Sequence, residues 1–319
     1  METLLELTGL RKPKLAAINL FKSGLAFQKM SIDDRKANVF SLNRTFLGNP
    51  GTGKTTVARL YARILFDSGM RKKETFIESS AQKLKDEGAD KFRELIESAL
   101  DGTLFIDEAY DLDPSGDFKG KAIVSELLTA AENYRDRLTI ILAGYETDIY
   151  EKLYSYNDGL RSRFVDVTFE DFSESELASI WNRMLDSKNW DADERLAGFV
   201  AKKLSLGANK RGFGNARAVR NIFEAATQLA MSDPNFDGVV MYLKVEFVCG
   251  EDPLINPKLH RIIDEFNNMT GWGTIKKAVE QLVQQTSKNY QLSLVGKNPR
   301  PIFMNRMFLG NPGTGDANF

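Results

Sequence analysis

The sequence predicts an α/β fold, a parallel sheet flanked by helices, followed by a smaller all-α unit. Three observations predict it. Short unbroken apolar runs at 45–47, 104–106 and 139–143 have the composition of strands covered on both faces. Helical periodicity lies between them, and strands alternating with helices give a parallel sheet with right-handed crossovers. From about residue 173 the pattern becomes helical throughout.

Taken in order, residues 1–27 are expected to form an N-terminal helical segment, and 28–170 the α/β core. The strand at 45–47 runs into a glycine-rich stretch. Directly after it, Val57, Leu60, Tyr61, Ile64 and Leu65 recur at helical spacing, so a helix starts where the glycines end. The runs at 104–106 and 139–143 supply two more strands, with a helix at 121–135 between them. Helices at 174–185, 193–206 and 214–231 make the all-α unit, with bounds of 173–248. Ser173 followed by Glu176 has capping-box spacing, which marks the first of these starts.

Length and composition bound the rest. At about 150 residues per domain, 319 residues hold roughly two domains. A formal net charge of −1 argues against a surface built to hold nucleic acid or anionic lipid. The basic run Arg71-Lys72-Lys73 reads as a solvated face. A single cysteine, Cys249, excludes an internal disulfide framework or a multi-cysteine metal site in these residues, and fits a reducing compartment. It reads as a small buried apolar residue. The lone His260 has no Ser or Cys nucleophile near it in sequence. With no apolar stretch of membrane length and no signal-like start over residues 1–10, the chain is expected to be soluble and cytoplasmic, with no membrane partner.

The chain also repeats itself. Residues Phe46 to Gly53 recur, identity for identity, as Phe308 to Gly315, 262 positions on. Thr8-Gly9 and Thr270-Gly271 share that register, as do Asn43-Arg44 and Asn305-Arg306. The register implies two copies of one module, the second an incomplete one over residues 265–319. Where the first copy has Lys54, the second has Asp316.

Gly48-Asn49-Pro50-Gly51-Thr52-Gly53-Lys54-Thr55 matches the G-x-x-x-x-G-K-[ST] phosphate-binding loop in its strand–loop–helix setting. Glycines let the backbone wrap a triphosphate, so that successive N–H groups and a helix N-terminus face anionic oxygens. Lys54 would reach the terminal phosphates, Thr55 would ligate Mg²⁺, and Thr56 follows in the first helical turn. Leu104-Phe105-Ile106-Asp107-Glu108 places two acids at the carboxyl end of a strand, where open α/β sheets bind ligands. Asp107 would hold the Mg²⁺ shell and Glu108 would polarise the attacking water.

Together with Ala143-Gly144-Tyr145 and Gly159-Leu160-Arg161-Ser162-Arg163, these motifs resemble those of AAA+ ATPases. The branch they resemble is the CbxX/CfxQ family, which includes the red-type Rubisco activase and the stage V sporulation protein K group. The resemblance covers residues 5–250 and resumes at about 265. It implies a P-loop NTPase sheet as the AAA+ core, an all-α lid, and ATP with Mg²⁺ as ligands. It further implies a homo-oligomeric ring, usually hexameric, that remodels an unidentified protein partner. Arg163 matches the arginine finger offered to a neighbouring subunit, with Arg161 as the alternative. Arg217, in Gly214-Asn215-Ala216-Arg217, resembles the sensor-2 arginine of a lid helix. Two departures stand out: residues 143–146 offer no sensor-1 Asn, and 78–91 contain no aromatic residue to grip a threaded peptide. Two other functions stay in view, a truncated nucleotide-gated interaction module with little turnover and, more remotely, a small-molecule kinase.

Overall fold

The computed structural model describes residues 1–38, 40–295, 297 and 299–302. Five parallel strands form the main sheet: β1 (Arg44–Gly48), β2 (Phe76–Ser80), β3 (Thr103–Asp107), β4 (Thr139–Gly144) and β5 (Val165–Phe169), in the order β2-β3-β4-β1-β5. The three strands expected from apolar runs are the three interior ones. Edge strands β2 (Phe-Ile-Glu-Ser-Ser) and β5 (Val-Asp-Val-Thr-Phe) went unpredicted, because a strand with a wet face carries polar residues and breaks the run.

Alternate side chains of the sheet feed two apolar layers. Leu47, Leu104, Ile106, Ile140 and Leu142 face one side, where α5 (Ala81–Glu87), α6 (Ala89–Ala99) and α7 (Phe118–Asn133) close over them. Phe46, Phe105, Ile141, Ala143 and Val167 face the other, against the N-terminal α1 (Glu2–Glu6) and α2 (Arg11–Gln28) and against α4 (Lys54–Asp67). The short α3 (Ile32–Ala37) follows α2, with Ser31 capping it. Between β4 and β5 the chain makes a short α8 (Glu146–Asp148), a wide π-type turn at Ile149–Tyr154 and α9 (Asp158–Arg161).

Four residues separate β5 from the first lid helix, α10 (Glu174–Lys188). Its capping box is formed as the spacing predicts: Glu176 N–H donates to Ser173 Oγ, and Ser173 N–H to Glu176 Oε2. α11 (Arg195–Ser205) and α12 (Asn215–Met231) complete a separate core around Trp181, Val200, Val219 and Phe223. Two-residue strands β6 (Asp191–Ala192) and β7 (Tyr242–Leu243) pair in parallel beside it. α13 (Val245–Cys249), α14 (Pro257–Asn268) and α15 (Gly273–Leu294) follow, and Leu294 of α15 reaches the lid core.

One expectation is corrected. Arg71 is no part of a solvated face: it is 5% exposed, and its guanidinium donates to Thr139 Oγ1 and to the carbonyls of Met70, Arg135, Asp136 and Leu138. Five acceptors offset the cost of burying the charge. Lys72 and Lys73 are exposed, as expected. Among the described residues, no helix is long and apolar enough to cross a membrane.

The internal repeat has a geometric counterpart. Gly9 and Leu10 have φ of 63° and 60°, and α2 starts at Arg11; 262 positions on, Gly271 and Trp272 have φ of 88° and 58°, and α15 starts at Gly273. Lys14 Nζ donates to Leu7 O at 2.5 Å, and Lys276 Nζ to Met269 O at 2.5 Å, the same bond in the same register. The second glycine-rich segment, Phe308 to Gly315, lies outside the described residues.

Candidate functional site

The carboxyl ends of β1, β3 and β4 lie side by side in the sheet, so Gly48, Asp107 and Gly144 meet at one edge. There they open onto a cleft of about 320 Å³. The phosphate loop and the first turn of α4, through Lys54, Thr55 and Thr56, line it together with Asp107 and Glu108 from the end of β3 and with Tyr110 and Tyr145. Arg217, together with Ala216 and Arg220, covers it from the lid. Sequence motifs separated by more than a hundred residues thus share one cavity.

Within the loop, Gly51 and Gly53 have φ of 70° and 94°, a region that L side chains rarely adopt. The Lys54 ammonium folds back to donate to Gly48 O and Asn49 O, both at 2.8 Å. Burial lowers its pKa to about 8; the Asp107 carboxylate works against that shift and Arg217 adds to it. Asp107 Oδ1 accepts the N–H of Glu108 at 2.9 Å. Glu108 itself sits at φ 51°, ψ 38°, a left-handed conformation uncommon for a non-glycine residue. It turns the chain out of β3 into the short 3₁₀ turn Ala109–Leu112 and leaves the Glu108 side chain at the cleft.

Three cationic side chains, Lys54, Arg217 and Arg220, face two carboxylates across this cavity. That balance suits a polyanion accompanied by a divalent cation. A hydroxyl (Thr55) and one carboxylate (Asp107) match the donors Mg²⁺ takes from a protein when phosphate oxygens supply other ligands. Among the described residues no cluster of three or more His, Cys, Asp or Glu could hold a metal by protein ligands alone.

Not every predicted residue lines the cleft. The Asn49 side chain turns away from it toward the lid, and Thr52 is buried, its hydroxyl donating to Asn49 O at 2.8 Å. Their peptide groups remain part of the loop. Arg161 and Arg163 stand at the start of β5, on the opposite edge of the sheet from the carboxyl ends that carry the cleft. Arg163 donates to Glu132 Oε2 at 2.9 Å and to Gly159 O at 2.6 Å, and Arg161 lies over the Tyr150 ring at 5.1 Å. Neither serves the cleft of its own chain. At the departure noted after β4, Gly144 and Tyr145 face the cavity.

Two residues were missed, and a third, Tyr110, belongs to the Asp107-Glu108-Ala109-Tyr110 motif but was given no role. Arg220 lies one helical turn beyond Arg217, so the i, i+3 spacing was available as a signal. Tyr110 packs on Tyr145 with ring centroids 5.7 Å apart, and burial, with Glu108 next, raises its hydroxyl pKa well above 10. Asp171, which tethers loop and lid, carried no motif at all. His260 is exposed on α14, away from the cleft; Cys249 is only partly buried against the lid core rather than fully buried as expected, and that burial still pushes its thiol up to about 12.

Residues 45–166 match the family model for the "ATPase family associated with various cellular activities (AAA)", and residues 173–231 match that for the AAA lid domain. Stage V sporulation protein K of Bacillus subtilis is 35% identical over 233 residues, covering 68% of this chain and 71% of that protein. The chain belongs to the AAA ATPase family. With stage V sporulation protein K it falls in the CbxX/CfxQ branch that the motifs resemble, and Protein CbbX of Cereibacter sphaeroides is 37% identical over 194 residues, 58% of this chain and 62% of that protein. The ESX-3 secretion system protein EccA3 of Mycolicibacterium smegmatis is 38% identical over 250 residues; the match spans 70% of the AAA chain and 40% of EccA3. The Thermotoga maritima RuvB Holliday junction branch migration motor shares the fold, with a TM-score of 0.54 at 18% identity over 90% of this chain and 87% of that one.

Proposed function

We propose that the cleft binds ATP and hydrolyses it with Mg²⁺, and that the chain does so in a ring of its own copies, acting on a protein partner. The observation that carries this reading is the convergence of Lys54, Thr55, Asp107 and Glu108 on one cavity covered by Arg217. Lys54 exchanges its two carbonyl acceptors for phosphate oxygens, which restores the charged form that burial disfavours. Glu108, fixed by its turn at the end of β3, accepts a proton from the attacking water. Thr55 and Asp107 hold Mg²⁺, which supplies neutralisation of charge on the terminal phosphates. Arg217 covers those phosphates from the same chain.

Arg163, or Arg161 beside it, acts on the nucleotide of the neighbouring copy; its distance from its own cleft supports a role in trans. Such a finger contributes on the order of 10³ to 10⁵ in rate, so an isolated chain is a poor ATPase. The relatives named above, a sporulation protein, CbbX and a secretion-system protein, motivate a protein partner without identifying it. Residues 28–170 form the nucleotide core and 173–248 the lid, and the shared register of 7–14 and 269–276 supports 265–319 as the opening of a second copy.

The test is Mg²⁺-dependent turnover against protein concentration, with light scattering on the same samples. Specific activity should rise as oligomers form. Glu108→Gln should keep ATP bound while turnover falls about 10²- to 10⁴-fold, the usual range for a general base. Unchanged turnover in that variant removes Glu108 from the mechanism. Tight ATP binding with negligible turnover at every concentration favours a nucleotide-gated binding module instead.

A further inference from the structure

The loop and the lid meet through a small polar network that the nucleotide reading leaves without a role. Asn49, the second residue of the phosphate loop, directs its side-chain amide to both oxygens of Asp171 at 3.0 Å and to Lys210 O at 3.1 Å, while its Oδ1 accepts the Gly212 N–H at 3.2 Å. Asp171 lies between the end of β5 and the start of α10. It also accepts the Asn209 N–H at 2.8 Å and the Asn215 side-chain amide at 2.7 Å. Asn215 opens α12, the helix that carries Arg217 two residues later. Its Oδ1 takes the Phe172 N–H at 2.8 Å, and its amide also reaches Pro50 O at 3.3 Å.

Three features mark this network as more than a surface contact. Asn215 is fully buried and holds φ at 48°, a conformation that costs free energy unless its surroundings over-determine it. Here its amide is satisfied at both ends by the strand–lid connection and the loop. Ala216 N–H donates to Gly51 O at 3.2 Å. A Cβ on Gly51 would stand 2.1 Å from Gly214 O and 2.8 Å from Arg217 N, so the start of α12 rests directly on the loop backbone. One carboxylate therefore joins the loop that cradles phosphate to the helix that carries the covering arginine.

We propose that Asp171, clasped between Asn49 and Asn215, is a positioning residue that sets where Arg217 stands over the cleft, and so how strongly the protein distinguishes a nucleoside triphosphate from a diphosphate. The inference rests on the nucleotide reading of the cleft. Asp171 touches no phosphate; it acts through Arg217. A diphosphate lacks the γ-phosphate that Arg217 covers, so a displaced lid helix weakens triphosphate binding selectively. A joint serving only stability would weaken both nucleotides alike.

The experiment is a double-mutant cycle on nucleotide affinity, measured by calorimetry with Mg-ATP and Mg-ADP. The proteins are wild type, Asn49→Ala, Arg217→Ala and the double variant. Each single change should weaken ATP about tenfold, the size of one hydrogen bond to a charged group, and ADP by under twofold. The double variant should bind ATP no worse than either single one, because the two changes disable one device. Asp171→Asn, which leaves the loop sequence intact, should repeat the pattern, with a thermal melt confirming that each variant is folded. Losses that multiply to about a hundredfold, or equal weakening of ATP and ADP, would overturn the proposal. Wild-type protein that binds neither nucleotide would instead overturn the reading of the cleft, and the clasp with it.

Discussion

The sheet and the loop–lid junction are held by opposite means, although both position the same cleft. Phe46, Phe105 and Ile141 on one face, and Leu104, Ile106 and Leu142 on the other, bury alternate side chains in dry layers. The junction is held by amides, one carboxylate and the backbone of Gly51. Each buried core side chain contributes several kilocalories, whereas a hydrogen bond to a charged group contributes about 1.5–3 kcal/mol. The core therefore fixes Lys54, Asp107 and Glu108 relative to one another, while the lid arginines can be moved at modest cost. Rigid chemistry and adjustable cover are divided between two kinds of bonding.

Three changes sharpen or break that division. The largest effect is expected of Phe105→Ala, which empties a fully buried site stacked on Phe76 and should cost about 3–5 kcal/mol of unfolding free energy in urea titration. A loss below about 1 kcal/mol would mean that the layer is loosely packed. Next is Gly51→Ala. It forces a left-handed φ on a side chain and drives a methyl into Gly214 O, so the lid helix must lift, at about 1–3 kcal/mol. ATP affinity should fall more than thermal stability does; the reverse order would place the junction in the folding core rather than beside it.

The smallest effect comes from pH. Because burial lowers the Lys54 pKa to about 8, the free protein releases this proton where an unfolded chain still holds it. Between pH 8 and 10.5 the unfolded state binds more protons, so Lys54's contribution to stability rises with pH across that window and is least favourable below it. Nucleotide binding runs the other way: phosphate selects the charged amine. ATP affinity should fall about tenfold from pH 7 to pH 9, and binding at pH 9 should take up close to one proton, read as a buffer-dependent calorimetric heat. A flat affinity would show that Lys54 keeps its proton in the free cleft.

How much of this was legible follows from the same contrast. Interior strands announce themselves because both faces are covered; β2 and β5, with a face to water, do not. The phosphate loop and the Asp107-Glu108 pair were legible because their chemistry demands fixed residue types at fixed spacing. Arg71 was misread since a charge run gives no hint that one member has five acceptors waiting inside. Asn49, Asp171 and Asn215 were illegible as a group: an amide meeting a carboxylate across 122 residues leaves no periodicity.

The link from β5 to α10 is short. Phe169 ends the strand and Glu174 begins the helix, and Ser173 and Glu176 cap that helix against fraying. Trp181 of α10 packs on Phe223 of α12, so the two helices share one core. A pivot this tight converts angle into distance without slack. The 15 residues of α10 span about 22 Å, so a turn of about 10° at the pivot swings the helix's far end by about 4 Å. A lid turning there would be a lever with its fulcrum beside the phosphate loop, where Asp171 meets Asn49, so a small shift at the loop would be magnified at the carboxyl end of α10.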